Sequence, residues 1–509
     1  MFIVCLSGEH LAGKATVAAY LCETYGFKRY AFGDKLKEIA AQTYEFDVAL
    51  MHDPKEKDKA RSQYGGRSLR DLCTKTWESI LVDDPARFVR GVIADMRAAG
   101  NSLAVVSDLQ YRLEADMLRE AFGEVHCFTV ARDAGDPHDI LNDGTLATLY
   151  ARVSAVLVEN HDTVVIGAGV SGIACALALR KRLKPVLVLE RGKRVEERSR
   201  TTDNASGFGG SGLFSDGKYS FWPASTSLYD IPLITPYVDA VAATLPRAVS
   251  YDLAYDGDRG AWDHKPHPCV CQPLRERSAV MKRQQATLRG SVRFEQNVTY
   301  SDARGMLVSN GILIAYKNLV LAGGKFMSLC KTFDWVPKTY RRFEYGIRLE
   351  APHRTPLFDE MKGDDPKYTS GPYRTFCCCR QGEVVLIDDL AYSGRADGPK
   401  TKHSNIGFNV RTDPIALPLP FKLPLSLFMA FDLFGDDKRL QTGLASFLDA
   451  FDVSAADRAT MFVYGPCWES VGNYFTQSDR VFTCGDASGT YRGLVSAMAS
   501  GRWLGSTLE

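Results

Sequence analysis

Asp162–Arg191 reads DTVVIGAGVSGIACALALRKRLKPVLVLER, and this stretch decides the fold. Thr163 to Ile166 form a short apolar run, the pattern of a buried parallel strand. Gly167, Gly169 and Gly172 then give G-x-G-x-x-G, with Ser171 in the first turn of a helix rich in Ala and Leu. Pro185 ends that helix, and Val186 to Leu189 make a second buried strand closed by Glu190 and Arg191. Each glycine has a physical task. Gly167 permits the tight turn, Gly169 lets backbone approach a pyrophosphate, and Gly172 lets helix and strand pack closely. The helix N-terminus offers free N–H groups and the positive end of its dipole to the phosphates. Glu190 is placed to accept hydrogen bonds from a ribose. Strand, turn, helix, second strand and acid stand in register, the context in which this glycine pattern predicts dinucleotide binding.

Working outward, the chain has 509 residues, room for about two to four domains. Hydrophobic residues make up 45% and charged residues 24%, an ordinary globular profile. A formal net charge of +1 supplies no field for nucleic acid or anionic membrane. No apolar run is long enough for a membrane span, and MFIVCLSGEH lacks the positive start of a signal peptide. Thirteen cysteines, with no zinc-like C-x-x-C pair, fit free thiols in a reducing, cytoplasmic compartment.

A second glycine loop lies near the N-terminus. Phe2 to Leu6 is an apolar strand, followed by Gly8-Glu-His-Leu-Ala-Gly13-Lys14-Ala15-Thr16 and an apolar helix. In such a phosphate loop the backbone N–H groups ring a phosphate, Lys14 reaches the β- and γ-phosphates, and Thr16 holds Mg²⁺. Further on come Tyr30-Ala-Phe32-Gly-Asp34-Lys-Leu-Lys37-Glu38, Arg67-Ser-Leu-Arg70-Asp71-Leu72, and an apolar strand ending Ser107-Asp108 ahead of Arg112. These segments resemble the deoxynucleoside monophosphate kinases of bacteriophages and large DNA viruses. The resemblance spans about the first 135 residues and implies ATP and Mg²⁺ as reactants. It implies that Asp34, Lys37, Arg70 and Arg112 surround an acceptor nucleotide, with Asp108 near the metal. Phosphoryl transfer suits such residues, because it needs positioning and charge stabilisation more than covalent chemistry. Thr74 and Tyr111-Arg112-Leu113-Glu114 depart from the family's pattern, which leaves the base contacts and the acceptor open.

After Glu190-Arg191 the chain carries a third loop, Gly207-Phe208-Gly209-Gly210-Ser211-Gly212 running to Gly217-Lys218, whose glycines let backbone lie against a flat ligand. Arg275 to Arg289 reads as a helix and Val292 to Val298 as a strand, with Val298 backing an adenine. Ile312 to Tyr316, then Asn318 to Ala322, read as a strand pair entering a Gly323-Gly324 turn. Near the C-terminus a strand ends at Gly485-Asp486, and Arg492-Gly493 opens a closing helix. An Asp there suits a ribityl chain, and the helix N-terminus suits negative charge at a flavin edge. Together the pieces predict FAD. No second G-x-G-x-x-G marks a resident nicotinamide domain, so NAD(P)H is expected only as a transient electron partner. This half resembles a family of bacterial FAD-dependent dehydrogenases of undefined chemistry. The likeness rests on Gly209 to Lys218, Gly346-Ile-Arg348-Leu-Glu350, Arg374-Thr-Phe-Cys377-Cys378-Cys379 and Gly485-Asp486-Ala-Ser-Gly489-Thr-Tyr-Arg492-Gly493.

The expected architecture is α/β: a P-loop NTPase kinase domain over residues 1–158, then an FAD/NAD(P)-binding Rossmann-like flavoprotein domain over residues 161–509. A mixed substrate subdomain is expected at 219–275 and 350–470. Arg374 is the leading anchor for an anionic substrate, since its fork pairs with carboxylate or phosphate. Lys218, Arg348 and Arg492 are lesser candidates. The three consecutive cysteines read first as small apolar residues, alternate members facing opposite ways. The expected function is bifunctional: phosphorylation of a (deoxy)nucleoside monophosphate, and flavin redox chemistry on a small molecule, in viral nucleotide or modified-base metabolism in a host cytoplasm. The alternative is a flavin dehydrogenase whose first domain only binds nucleotide as a sensor or scaffold. A DNA-binding role is disfavoured by the near-zero charge and the lack of a basic run.

Overall fold

The computed structural model describes residues 1–53, 55–133, 139–224, 226–245, 257–301, 306–325, 327, 342–363, 365–396, 398–435, 437–471 and 479–509. The chain forms two compact units. One comprises Met1–Asn160 with Val298–Ala315, and the other His161–Asn297 with Tyr316–Glu509.

The first unit is built on parallel strands in the spatial order Lys28–Tyr30, Leu103–Val106, Phe2–Ser7, Val125–Ala131, Ile140–Leu141. The first strand in the chain is central, and its successors lie on either side of it. The carboxyl end of Phe2–Ser7 is therefore a topological switch point, where open α/β sheets bind ligands. Both faces of the sheet are buried, which explains its continuous apolar runs. Phe2, Val4 and Leu6 pack with helices Lys14–Tyr25 and Leu146–Leu157, while Ile3 and Cys5 pack with Phe88, Val92 and Met96. Met306, Val308 and Leu313 complete the first of these cores.

Among the described residues the second unit has two large sheets and two small two-stranded ones, Lys218–Ser220 with Cys269–Cys271 and Glu383–Ile387 with Ala391–Arg395. In one large sheet, the strands Val292–Arg293, Val186–Leu189, Val158–Ile166, Ile312–Leu321 and Val481–Thr483 are successive neighbours. Numbered along the chain they stand 3-2-1-4-5, the order of a dinucleotide-binding sheet. The switch point lies between Val158–Ile166 and Ile312–Leu321, where the Ala322 N–H donates to the Ile166 carbonyl at 2.8 Å. Two expectations need correction here. Ile312–Leu321 is one ten-residue strand, not a pair. The expected strand over 292–298 is two short ones, because Val298 begins a separate strand, Val298–Ser301, paired antiparallel with Met306–Ser309 in the first unit.

The other large sheet is antiparallel, in the order Phe421–Pro424, Phe462–Val471, Arg342–Pro352, His403–Thr412, Tyr373–Cys379, Tyr368–Ser370, Asp263–His264. Alternation along Arg342–Pro352 sorts its residues. Phe343, Tyr345, Ile347, Leu349 and Ala351 face a core that includes Phe408, Phe428, Phe447 and Phe451. Glu344, Gly346, Arg348 and Glu350 alternate with them on the opposite, polar face. Glu344 and Arg348 are nonetheless fully buried, so this face too is covered.

Candidate functional site

At the switch point of the second unit the three fingerprint glycines occupy three different environments. Gly167 has φ 102°, and a Cβ there would stand 2.7 Å from the Ala322 carbonyl oxygen. A Cβ on Gly172 would overlap the Gly167 carbonyl and press on Ala322. Gly169 alone opens onto free space: a Cβ there would meet nothing nearer than the Ala322 oxygen at 3.8 Å. Two glycines thus close the turn against the sheet, and the third leaves a cradle over the N-terminus of the helix Val170–Lys181. Ser171 is buried in its first turn.

The third glycine loop lies on the first. The Gly209 N–H donates to the Ala168 carbonyl at 2.7 Å, and a Cβ on Gly210 would press on the Gly169 Cα at 2.9 Å. Glu190 fastens the two together. One carboxylate oxygen accepts from the Ala168 N–H at 2.6 Å, and the other accepts from the Gly192 and Gly207 N–H groups at 2.8 and 2.9 Å. A carboxylate has about four acceptor positions, so room for one further donor, such as a ribose hydroxyl, remains. Arg191 points to Ser206 and Asp388 at the rim. At the other end, a Cβ on Gly485 would strike the Ser171 hydroxyl, Gly323 abuts Met327, and Gly493 precedes the closing helix Leu494–Thr507 with open space above it. Asp486 is 3.1 Å from Arg492, which also pairs with Glu469 at 2.9 Å. Gly167, Gly169, Ser171, Gly172, Glu190, Gly209, Gly210, Gly323, Gly485, Asp486 and Gly493 lie on segments that meet at or next to this switch point. Val298, also expected at the cofactor, begins the hairpin that belongs to the first unit.

Residues 162–267 match the family profile of FAD dependent oxidoreductases, and the match starts at the first residue of the fingerprint stretch. The second unit has an α/β FAD-binding, Rossmann-like flavoprotein fold. A search of curated proteins finds no match to the chain. Among solved structures the chain is similar to CtdE in complex with FAD, at 10% identity and TM-score 0.34, covering 69% of this chain and 83% of that one. It is also similar to NikD, an amino acid oxidase of nikkomycin biosynthesis, at 12% identity and TM-score 0.36, covering 68% and 93%. A geranylgeranyl bacteriochlorophyll reductase-like protein of Thermoplasma acidophilum aligns at 13% identity and TM-score 0.34, covering 68% and 77%.

The polar face of the antiparallel sheet holds the charged residues. Arg374, expected to anchor an anion, pairs instead with the buried Glu344 and with Glu469. Its fork is engaged by two carboxylates from strands that lie beyond His403–Thr412 in the sheet, which corrects its reading as an open substrate clamp. Arg348 is fully buried and donates to Asn405 and, at 2.8 Å, to the Cys377 carbonyl. Lys218 is closed in by Asp365, Asp216 and the Cys378 carbonyl. Burial would lower its pKa, but Asp365, Cys379 and Asp216 together hold it well above the ordinary lysine value.

Two residues of this face went unnoticed in the sequence. Lys325 follows the Gly323-Gly324 turn, donates to the Trp468 carbonyl and lies 3.7 Å from the centre of that indole ring. Burial, with Arg492 nearby, pulls its ammonium down to about 7. Asn409 is fully buried, and among the described residues neither polar atom of its side chain has a hydrogen-bond partner. It sits opposite Gly346 and Arg374 in the sheet register. A buried amide left unpaired marks a place that a ligand or water completes. Neither residue belongs to a sequence motif, so no pattern pointed to it.

In the first unit, Gly8 and Gly13 both have positive φ, at 128° and 110°, and Lys14 begins the helix. A Cβ on Gly8 would overlap the Val130 carbonyl, which ties this loop to the neighbouring strand. The Lys14 ammonium folds over the loop onto the Gly8 and Glu9 carbonyls at 2.6 and 2.8 Å. Ala15 and Thr16 follow in the first turn of the helix. Asp108, expected near a metal, is engaged otherwise: its two oxygens accept from the Phe32 and Gly33 N–H groups at 2.9 and 2.8 Å, capping the helix Phe32–Tyr44. Arg70 pairs with Asp58. Arg112 is 92% exposed beside Asp116, and Asp34 pairs with Arg29 and Lys37. Lys14, Ala15 and Thr16 are thus gathered at the loop, and no contact links Arg70 or Arg112 to it among the described residues.

Proposed function

We propose that this chain is an FAD-dependent oxidoreductase acting on a small organic substrate held against the polar face of the antiparallel sheet. The observation that carries the reading is the closed glycine turn at the switch point, with open space only over Gly169, in a segment that matches an FAD oxidoreductase family. The helix N-terminus after Gly169 would hold the pyrophosphate, Glu190 the adenosine ribose, and Gly323, Gly485, Asp486 and Gly493 the flavin end. When bound, FAD supplies the acceptor for a hydride. The chain supplies the rest. Lys325, which burial lets lose its proton from about pH 7 upward, takes a proton from the substrate as it is oxidised. Asn409 offers a donor and an acceptor for orientation. Arg374, Glu344 and Glu469 form the charged floor that fixes this face. The test is to reconstitute the purified protein with FAD and follow anaerobic bleaching of the flavin by NADH, NADPH and candidate substrates. Failure to retain flavin would sink the reading.

For the first unit, nucleotide-phosphate binding by Gly8–Thr16 is supported by the placement of Lys14 and Thr16 at the switch point. The bifunctional reading adds ATP- and Mg²⁺-dependent phosphorylation of a (deoxy)nucleoside monophosphate in viral nucleotide metabolism. The engaged Asp108 and exposed Arg112 favour binding without transfer, the sensor or scaffold role. ADP formation across a panel of common and modified monophosphates decides for transfer, and binding without turnover decides for the sensor.

A further inference from the structure

The strand Tyr373–Cys379 ends in three cysteines, and their geometry is not that of a regular strand. Its pairing with His403–Thr412 slips between Phe376 and Cys379, so the strand bulges there. Cys377 stands at the bulge with φ 50°, a left-handed conformation that a side chain other than glycine adopts only when its surroundings impose it. The result is that the Cys377 and Cys379 sulfurs lie 3.7 Å apart, while Cys378 turns into the apolar core on the other side. A disulfide closes at about 2.05 Å, so the sulfurs already touch and need a small further approach.

Cys377 is half-buried and Cys379 fully buried, so only a small oxidant can reach the pair. The Cys377 thiol donates to the Asp216 carboxylate at 3.0 Å. Arg348 donates to the Cys377 carbonyl, and Lys218 donates to that of Cys378. The Cys377 thiol beside it, supported by Lys218 and Arg348, draws the Cys379 thiol down to about 7. Asp216, Cys377 and Cys379 place three ligand-type atoms within 4.8 Å of one another. A metal ion there would have to join two buried cations, with Lys218 3.6 Å from the Asp216 oxygen. Like charges in a dry interior repel strongly, so the site favours thiolate over a metal.

We propose that Cys377 and Cys379 are a redox-active dithiol that closes to a disulfide on reaction with a small hydroperoxide. The Cys379 thiolate attacks the outer peroxide oxygen. The O–O bond breaks, the departing alkoxide takes the proton that the Cys379 thiol gave up on ionising and becomes an alcohol, and Cys379 becomes a sulfenic acid. Cys377 then passes its proton to Asp216 and attacks the Cys379 sulfur. The S–O bond breaks, and the hydroxide leaves as water with that proton. Two thiols are oxidised by two electrons and one peroxide is reduced by two. An external dithiol restores the pair. None of these steps rests on flavin turnover.

Trypsin releases Thr375–Arg380, a peptide that contains all three cysteines and no others. The full chain is titrated with hydrogen peroxide, denatured, labelled with N-ethylmaleimide, digested and sequenced by mass spectrometry. The expected result is loss of two of the peptide's three labels, with the remaining one on Cys378 and recovery of all three after dithiothreitol. Cys378→Ser retains the closure. Cys377→Ser stops at a Cys379 sulfenic acid that dimedone traps. Three labels surviving excess peroxide in the wild-type chain overturn the proposal, as does a link through Cys378. Stoichiometric zinc retained by the purified chain and lost in Cys377→Ser also overturns it, in favour of a metal site.

Discussion

Substituting alanine separately at Gly169 and Gly172 separates folding from cofactor binding within four residues. At Gly172 the new Cβ falls 2.0 Å from the Gly167 carbonyl oxygen and 3.2 Å from the Ala322 side chain. Real Cβ contacts essentially never come under 3.0 Å, so the helix start must back away from the strand. Overpacking of this kind costs about 1–3 kcal/mol. Gly172→Ala is therefore expected to lower the unfolding temperature whether or not FAD is added. Gly169 differs: φ −69° and ψ 173° suit any residue, and its Cβ would meet protein only at 3.8 Å. Gly169→Ala should leave the FAD-free protein as stable as wild type. Its methyl group instead occupies the space a phosphate needs. Losing one hydrogen bond to a charged group, about 1.5–3 kcal/mol, corresponds to roughly 10- to 150-fold weaker FAD binding. Thermal unfolding with and without FAD, beside a titration of flavin fluorescence, measures both quantities. Equal destabilisation of the two FAD-free variants, or unchanged FAD affinity in Gly169→Ala, would refute the assignment of roles.

Other outcomes follow from the same geometry. Glu190→Gln removes the charge that three backbone N–H groups share and should loosen the loop–loop contact, seen as faster amide exchange at Ala168, Gly192 and Gly207. The profile of kcat/KM against pH should rise through about 7 as Lys325 loses its proton, and that limb should vanish in Lys325→Met; an unchanged limb would remove Lys325 from proton transfer. Asp365 is buried against Lys218, and although burial raises its pKa, Lys218, Lys367 and His267 hold it well below the ordinary value. Its stabilisation is present above the unfolded value of about 3.9 and is lost as pH falls toward the lower folded one. Asp365→Asn should cost about 3–5 kcal/mol at neutral pH in urea unfolding, with the gap to wild type narrowing below about pH 4.

The parts of this site that depend on local spacing were legible in the sequence. Gly167, Gly169 and Gly172 perform different tasks because a turn between strand and helix imposes them, and their spacing encodes that turn. The parts that depend on remote partners were not. Arg374 has the chemistry of an anion clamp, but Glu344 and Glu469 arrive from two other strands and engage it. Asp108 closes a strand as a phosphate-site acid would, yet the start of the helix Phe32–Tyr44 claims both its oxygens. Lys325 and Asn409 owe their character to burial by strands far along the chain. Regular alternation describes the cysteine run only until the bulge at Cys377 changes its geometry.

The hairpin that carries Val298 has an evolutionary consequence. A kinase-like gene joined end to end with a flavoprotein gene would give a chain that passes between its two bodies once. This chain passes three times, because Val298–Ala315 departs from the second unit, lends Met306, Val308 and Leu313 to the first unit's core, and returns. A fragment stopping at Asn160 would leave three apolar seats open to water, so the first unit does not end where the fingerprint strand begins. A simple end-to-end fusion does not by itself account for that interleaving.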